Sequence, residues 1–192
     1  MNLVPVLALA LMLPAGVALS QHAGHHGHSG AGQGSPYAGM EKRAVKALSD
    51  QQIADLRAGR GMGLALPAEL NGYPGPLHVL ELGDKLALTS DQRAKVQGLF
   101  DAMKAETVAL GERIIAGEIE LDQLFADKRI TPENLKASTA FIAASQGELR
   151  AAHLRDHLST LEILTLHQVE MYGKLRGYGD AGGPGHGHGG KH

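Results

Sequence analysis

The sequence contains no cysteine and no tryptophan, and aromatic residues make up only 4% of it. The absence of cysteine excludes disulfides, thiolate nucleophiles, thiolate zinc sites and iron–sulfur clusters. Any metal ion must therefore be bound by His, carboxylate or Met side chains. Neither sign of charge is in excess, since 18 Lys and Arg face 20 Asp and Glu for a net charge of −2. This balance removes the usual electrostatic basis for binding nucleic acid.

Histidine and glycine are abundant, at 11 and 26 of the 192 residues. Two Gly-rich segments, residues 21–39 and 177–192, carry too little apolar surface to offset the entropy of ordering a backbone, so we expect both to be flexible. Their imidazoles predict a multivalent collector of transition metal ions, and the alternative is a pair of solvated linkers that happen to contain His. The candidate ligands in these tails are His22, His25, His26, His28, His186, His188 and His192.

Residues 1–20 form a mostly apolar leader that ends in Ala18-Leu19-Ser20, a small-residue pattern that signal peptidase accepts. The leader lacks Lys and Arg and approaches the length of a membrane span, so a retained anchor is the alternative. Pro14 and Gly16 near its end favour cleavage. We therefore expect a secreted, periplasmic protein with a cleaved signal peptide and no membrane span in the mature chain.

Residues 40–176 predict a single all-α domain, because apolar residues recur there at spacings of three and four without the alternation typical of strands. Breakers and caps divide this domain into short helices near 49–57 and 77–86, two long helices near 90–127 and 132–163, and a last helix that opens at 164–168 and ends near 176. Pro132 fits the first position of the second long helix.

The first long helix carries an apolar stripe composed of Val96, Leu99, Phe100, Met103, Leu110, Ile114, Leu121, Leu124 and Phe125. At 1.5 Å per residue the two long helices would extend roughly 57 and 50 Å, which predicts an elongated antiparallel helical hairpin with short flanking helices. The short helices can cover only part of the stripe, so we expect a homodimer. A curved monomer whose short helices cover the whole stripe is the alternative.

Two copies of the pattern Leu-Thr-x-x-Gln open helices in this domain. Each predicts a capping box, in which the Thr hydroxyl accepts from the third helical N–H and the Gln side chain reaches back to the cap. Residues 48–52 form a third version based on Ser. One such box is common in helical proteins, whereas two at this separation are a distinctive pattern. The motif residues are Leu88, Thr89, Gln92, Leu164, Thr165 and Gln168.

With its apolar leader, helical body and His-rich ends, the sequence resembles the LTxxQ family of periplasmic stress proteins, which includes Spy, CpxP, ZraP and CnrX-like metal sensors. The resemblance covers roughly residues 47–177 and implies a cradle-like, Spy/CpxP-like helical hairpin without a catalytic site. It implies ATP-independent, chaperone-like binding of unfolded envelope proteins or of a membrane sensor protein, together with metal binding. The alternative is a ZraP/CnrX-like heavy-metal sensor or buffer without chaperone activity. The acid-rich first long helix departs from the basic client-binding surface of Spy.

A metal site is also predicted in the helical body. His153 and His157 are four residues apart, so both rings lie on one helix face and can chelate one ion. His78 is the expected third ligand, with Glu81 close by in sequence. Zinc, nickel, cobalt or copper would suit such imidazoles, and no organic cofactor is expected. The alternative is that His153 and His157 are ordinary half-exposed side chains.

The segment His153-Leu154-Arg155-Asp156-His157 also resembles the zinc peptidase signature H-x-x-E-H, with Asp in place of Glu. The shorter Asp would displace the general base, and a helical hairpin offers no cleft that excludes water. The sequence also lacks a Gly-rich phosphate loop and a G-x-S-x-G elbow. We therefore do not expect an enzyme.

Overall fold

The computed structural model describes residues 35–178, and within these residues it is all-helical. A 3₁₀ turn at Met40–Lys42 precedes the helices. The helices are α1 (Asp50–Arg57), α2 (Leu66–Glu69), α3 (Pro76–Glu81), α4 (Ser90–Ala126), α5 (Pro132–Ile163) and α6 (Leu166–Leu175). The predicted all-α class is confirmed, while the cradle-like arrangement stays a prediction. The predicted leader and most of the two Gly-rich segments lie outside the described residues.

Ion pairs link the two long helices on their exposed sides. Arg113 of α4 lies 2.7 Å from Glu148 of α5, and Glu106 of α4 lies 2.6 Å from Arg155 of α5. Residue numbers therefore rise along α4 as they fall along α5, as expected for two helices that run in opposite directions.

The apolar core has two clusters. One lies where α1 packs on the middle of the long helices and contains Val45, Leu48, Leu56, Leu110, Ile114, Ile115, Leu149 and Ala152. The other joins α3, the start of α4 and α6 through Val79, Leu86, Val96 and Tyr172. Phe125 was predicted in the buried stripe but is exposed, because it lies close to the turn between α4 and α5, beyond the last residues of the first cluster.

Of the helices within residues 35–178, none combines the length and the hydropathy that a membrane span requires.

The predicted caps are present. The side chains of Ser49, Thr89 and Thr165 each accept a hydrogen bond from the backbone N–H three residues on. In return, the backbone N–H of each cap residue donates to the side-chain oxygen of the Gln in its box. Thr131 forms a fourth box with Asn134, directly before Pro132. These local signals explain why α4 and α5 begin where the sequence predicts. Two predictions for the shorter helices were less accurate, since α3 ends at Glu81 rather than near residue 86 and α2 was not predicted.

The two Leu-Thr-x-x-Gln boxes lie against each other. Gln92 donates from Nε2 to Oε1 of Gln168 over 2.8 Å, and Gln168 donates back to Oε1 of Gln92 over 3.0 Å. Each amide also donates to a backbone carbonyl, that of Ile163 for Gln92 and that of Leu86 for Gln168. This paired set of bonds ties the start of α4 to the start of α6.

Candidate functional site

The three histidines predicted as helical metal ligands line one pocket of about 520 Å³. His153 and His157 come from α5, and His78 comes from α3. The remaining wall is formed by the loop after α1, the start of α3 and the α4 residues Phe100, Met103 and Lys104. Residues far apart in the sequence therefore place three imidazoles around one space.

The ring of His157 is fixed by its surroundings. Its Nδ1 lies 2.7 Å from the backbone carbonyl oxygen of Tyr73. Because a carbonyl only accepts, the neutral ring carries its hydrogen on Nδ1, and Nε2 keeps a free lone pair. Gly75 lies directly against the ring, since a Cβ built on it would come within 3.0 Å of Nε2. Only glycine leaves room for the ring in this position.

The ring of His153 is more deeply buried, with 4% of the residue exposed, and its Nε2 has no hydrogen-bond partner. Burial lowers the pKa of His153, the nearby His157 lowers it further, and a hydrogen bond with the backbone of Arg60 partly opposes both effects. His153 is therefore held as a neutral base with a free nitrogen. The alternative that His153 and His157 are half-exposed is wrong, because both are buried.

His78 is less constrained than the other two. It is half-buried on α3, and its Nδ1 lies 2.9 Å from Oε2 of Glu81, the neighbour predicted from the sequence. Within residues 35–178, His, Asp and Glu side chains form no group of three that could hold a metal ion. The structure thus brings His78 to the pocket of His153 and His157 but not into a three-ligand cluster with them.

The carboxylate of Glu69, which was not predicted from the sequence, is buried and lies next to the ring of His157. Glu69, at the end of α2, accepts at Oε1 from the hydroxyls of Tyr172 over 2.6 Å and Tyr178 over 3.0 Å, and from Nε of Arg176 over 3.3 Å. Its Oε2 has no hydrogen-bond partner and lies 3.8 Å from Nδ1 of His157. Glu69 therefore joins α2, α6 and the histidine pocket in one polar network.

Asp156 does not line the histidine pocket, although it lies between His153 and His157 in the sequence. It is buried, is not among the residues that line the pocket, and its Oδ2 has no hydrogen-bond partner. Burial raises the pKa of Asp156. The arrangement of a zinc peptidase, in which this position supplies a base beside the metal, is not reproduced here.

Other predicted site residues lie elsewhere. Thr89, Gln92, Thr165 and Gln168 act in the capping boxes described above. The tail histidines predicted as ligands lie outside the described residues: His22, His25, His26, His28, His186, His188 and His192.

Met103, Gly75 and Tyr73 also contribute to the site, and none of them was predicted there. Met103 was predicted only as part of the apolar stripe, and it is buried as expected. Its second role, in the wall of the histidine pocket, follows from the packing of α4 against α5 and has no local sequence signal.

No protein-family model, curated protein or solved structure matches this chain. Its function must therefore be argued from the pocket and the capping boxes themselves.

Proposed function

We propose that this chain is a non-enzymatic envelope stress protein of the LTxxQ type whose helical body binds one transition metal ion in the histidine pocket. The observation that carries the proposal is the state of the two α5 imidazoles. His157 is bonded to a backbone carbonyl through Nδ1, and His153 is buried with a free Nε2. Two imidazoles on one helix face, one with Nδ1 bonded to a carbonyl and the other with an unpartnered Nε2, supply the nitrogen donors that zinc, nickel, cobalt and copper accept.

The groups around the rings support the same proposal. Metal-binding histidines in proteins usually donate their other ring N–H to a carbonyl or carboxylate, which fixes the tautomer and the ring direction. Tyr73 supplies the carbonyl for His157, and Glu69 stands next to it with an unpartnered oxygen. The pocket is therefore organised before an ion arrives, so little entropy is lost on binding.

Calorimetric titration of the full chain with zinc tests this proposal. We expect one tight binding step per chain, followed by weaker steps if the tail histidines also bind. The double variant His153→Ala/His157→Ala should lose the tight step, whereas His167→Ala, which changes an exposed histidine outside the pocket, should retain it. Circular dichroism melting checks that each variant folds. Identical zinc isotherms for all three chains would refute the pocket as a zinc site.

The tight step should also have a distinctive pH dependence. An ordinary imidazole becomes charged and loses its metal as the pH falls through about 6.5. Burial lowers the pKa of His153, so this residue stays neutral to a lower pH. Because one of its two ligands stays neutral to a lower pH, the tight step should weaken less steeply with falling pH than binding by exposed imidazoles alone, and calorimetric titrations repeated at falling pH measure this.

A second candidate function is chaperone-like binding of unfolded envelope proteins. A separate pocket of about 470 Å³ lies between α1 and the long helices, and among the residues of 35–178 that line it only Arg150 is charged. Apolar side chains of an unfolded segment fit a lining of this kind, which includes Leu48, Leu56, Leu64 and Ile114. A homodimer, which the exposed part of the apolar stripe predicts, would carry two copies of this pocket.

Suppression of client aggregation without ATP tests the second function. Met62→Lys places a charge at the edge of the apolar pocket, and Leu66→Lys places one at a similarly exposed position that does not line it. We expect the wild-type chain and Leu66→Lys to reduce light scattering by an aggregating client, and Met62→Lys to reduce it less. No protection by the wild-type chain at equimolar concentration would exclude a chaperone role.

A further inference from the structure

The histidine pocket has a fourth donor of a different chemical kind. Met103 of α4 is buried and lines the same pocket as His153 and His157. Its thioether is a soft ligand, whereas imidazoles accept a wide range of transition metals. A pocket that combines the two donors selects among metals more narrowly than imidazoles alone.

The charged residues around the histidine pocket also restrict which metal ions it can bind. Among the described residues that line it, none is Asp or Glu, while Arg60 and Lys104 are both present. The carboxylate of Glu69 lies behind the ring of His157, on its Nδ1 side, and that of Glu81 is bonded to His78. The guanidinium of Arg60 is paired with Asp55 over 2.8 Å, which leaves Lys104 as the nearby positive charge. A divalent ion would therefore enter a pocket that offers no carboxylate ligand and lies beside a positive charge, which favours an ion of lower charge.

The number of ligands that the pocket offers also restricts the choice of metal. Structural zinc is almost always four-coordinate, with ligands drawn from His, Cys, Asp and Glu. No group of three such residues that could hold an ion occurs within residues 35–178. A soft monovalent ion with a low coordination number needs only the two imidazoles of α5 and one thioether.

We propose that the histidine pocket is a copper(I) site, with His153 and His157 as imidazole ligands and Met103 as the thioether ligand that determines selectivity. The inference rests on the proposed function, because it names the metal for the same pocket. Pro76, Leu77 and Phe100 add an apolar wall around the donors. Such a wall suits an ion of low charge, which loses less hydration energy than a divalent ion when it leaves water.

The first test measures copper(I) affinity by competition with a chromophoric copper(I) chelator under anaerobic, reducing conditions, using the full chain. Even residues that only support a ligand are worth about 10–100-fold in metal affinity, so loss of the thioether in Met103→Leu should weaken copper(I) binding at least about tenfold. Zinc binding should be nearly unchanged in this variant. Met171→Leu is the matched control, because Met171 packs against the second core cluster, which contains Val79 and Tyr172, and does not line the histidine pocket.

The second test is X-ray absorption at the copper edge. The chain has no cysteine, so sulfur bound to copper(I) can come only from a methionine. We expect a sulfur neighbour in the wild-type chain and in Met171→Leu, and its loss in Met103→Leu. Retention of the sulfur neighbour in Met103→Leu would overturn the role of Met103.

The outcomes also separate this inference from the proposed function. Zinc binding that requires His153 and His157, without tight copper(I) binding, would overturn the inference and leave the metal-binding function in place. If neither zinc nor copper(I) binding depends on His153 and His157, both the inference and the proposed function fail.

Discussion

Replacing Gly111 with alanine is expected to lower the free energy of unfolding by about 2 kcal/mol or more, since overpacking of a close-packed interior typically costs about 1–3 kcal/mol. A Cβ at this position would lie 2.5 Å from the backbone carbonyl oxygen of Leu56 and 3.1 Å from its Cβ. The obstacle is backbone and cannot rotate away, so α1 would have to move off α4. That movement would also disturb the burial of Leu56 in the first core cluster.

Gly98→Ala is the matched control on the same helix. A Cβ at Gly98 would meet nothing within 4 Å. Alanine stabilises a helix interior relative to glycine by about 0.5–1 kcal/mol, so this variant should be more stable than the wild type. Urea unfolding followed by circular dichroism gives both values. Changes of the same sign in the two variants would contradict the close contact between α1 and α4.

Glu69→Leu is expected to lower the free energy of unfolding by about 3 kcal/mol. The substitution leaves the hydroxyl proton of Tyr172, a residue that is only 2% exposed, without its acceptor, and an unsatisfied buried donor costs about 1–3 kcal/mol. Tyr178 and Arg176 lose the same acceptor. Arg176 is partly exposed, so water compensates for much of its loss.

A double-mutant cycle tests this network more directly than the single variant. Tyr172→Phe removes one hydroxyl and should cost about 1–2 kcal/mol. In Glu69→Leu/Tyr172→Phe the unsatisfied hydroxyl is gone, so the combined loss should fall short of the sum of the single losses by about 1 kcal/mol or more. Additive losses, measured by urea unfolding, would show that the two residues do not depend on each other.

The parts of this fold that the sequence predicted well are those encoded locally. A capping box involves residues three apart, and Pro132 marks a helix start by its own ring geometry, so α4 and α5 begin as predicted. The spacing of His153 and His157 likewise places both on one helix face without any knowledge of the tertiary structure.

The features that were missed depend on distant parts of the chain. Glu69 is bonded to residues more than 100 positions away, and nothing near it in sequence distinguishes it from a solvent-exposed carboxylate. Gly75 reads as an ordinary turn residue in a Pro-rich loop, yet it is the surface on which the ring of His157 rests. Burial of the two imidazoles could not be predicted either, because the loop after α1 and the start of α3 provide it.

The pairing of Gln92 with Gln168 constrains which amino acids the two boxes can use. In an isolated capping box, glutamate serves as well as glutamine, because the reach back to the cap requires only an acceptor. Here each side chain must also donate, both to the opposite side chain and to a backbone carbonyl. A carboxylate cannot donate, and two of them at this separation would repel each other. The two Leu-Thr-x-x-Gln boxes thus meet in a single tertiary contact. A substitution at either glutamine therefore requires a compensating substitution at the other.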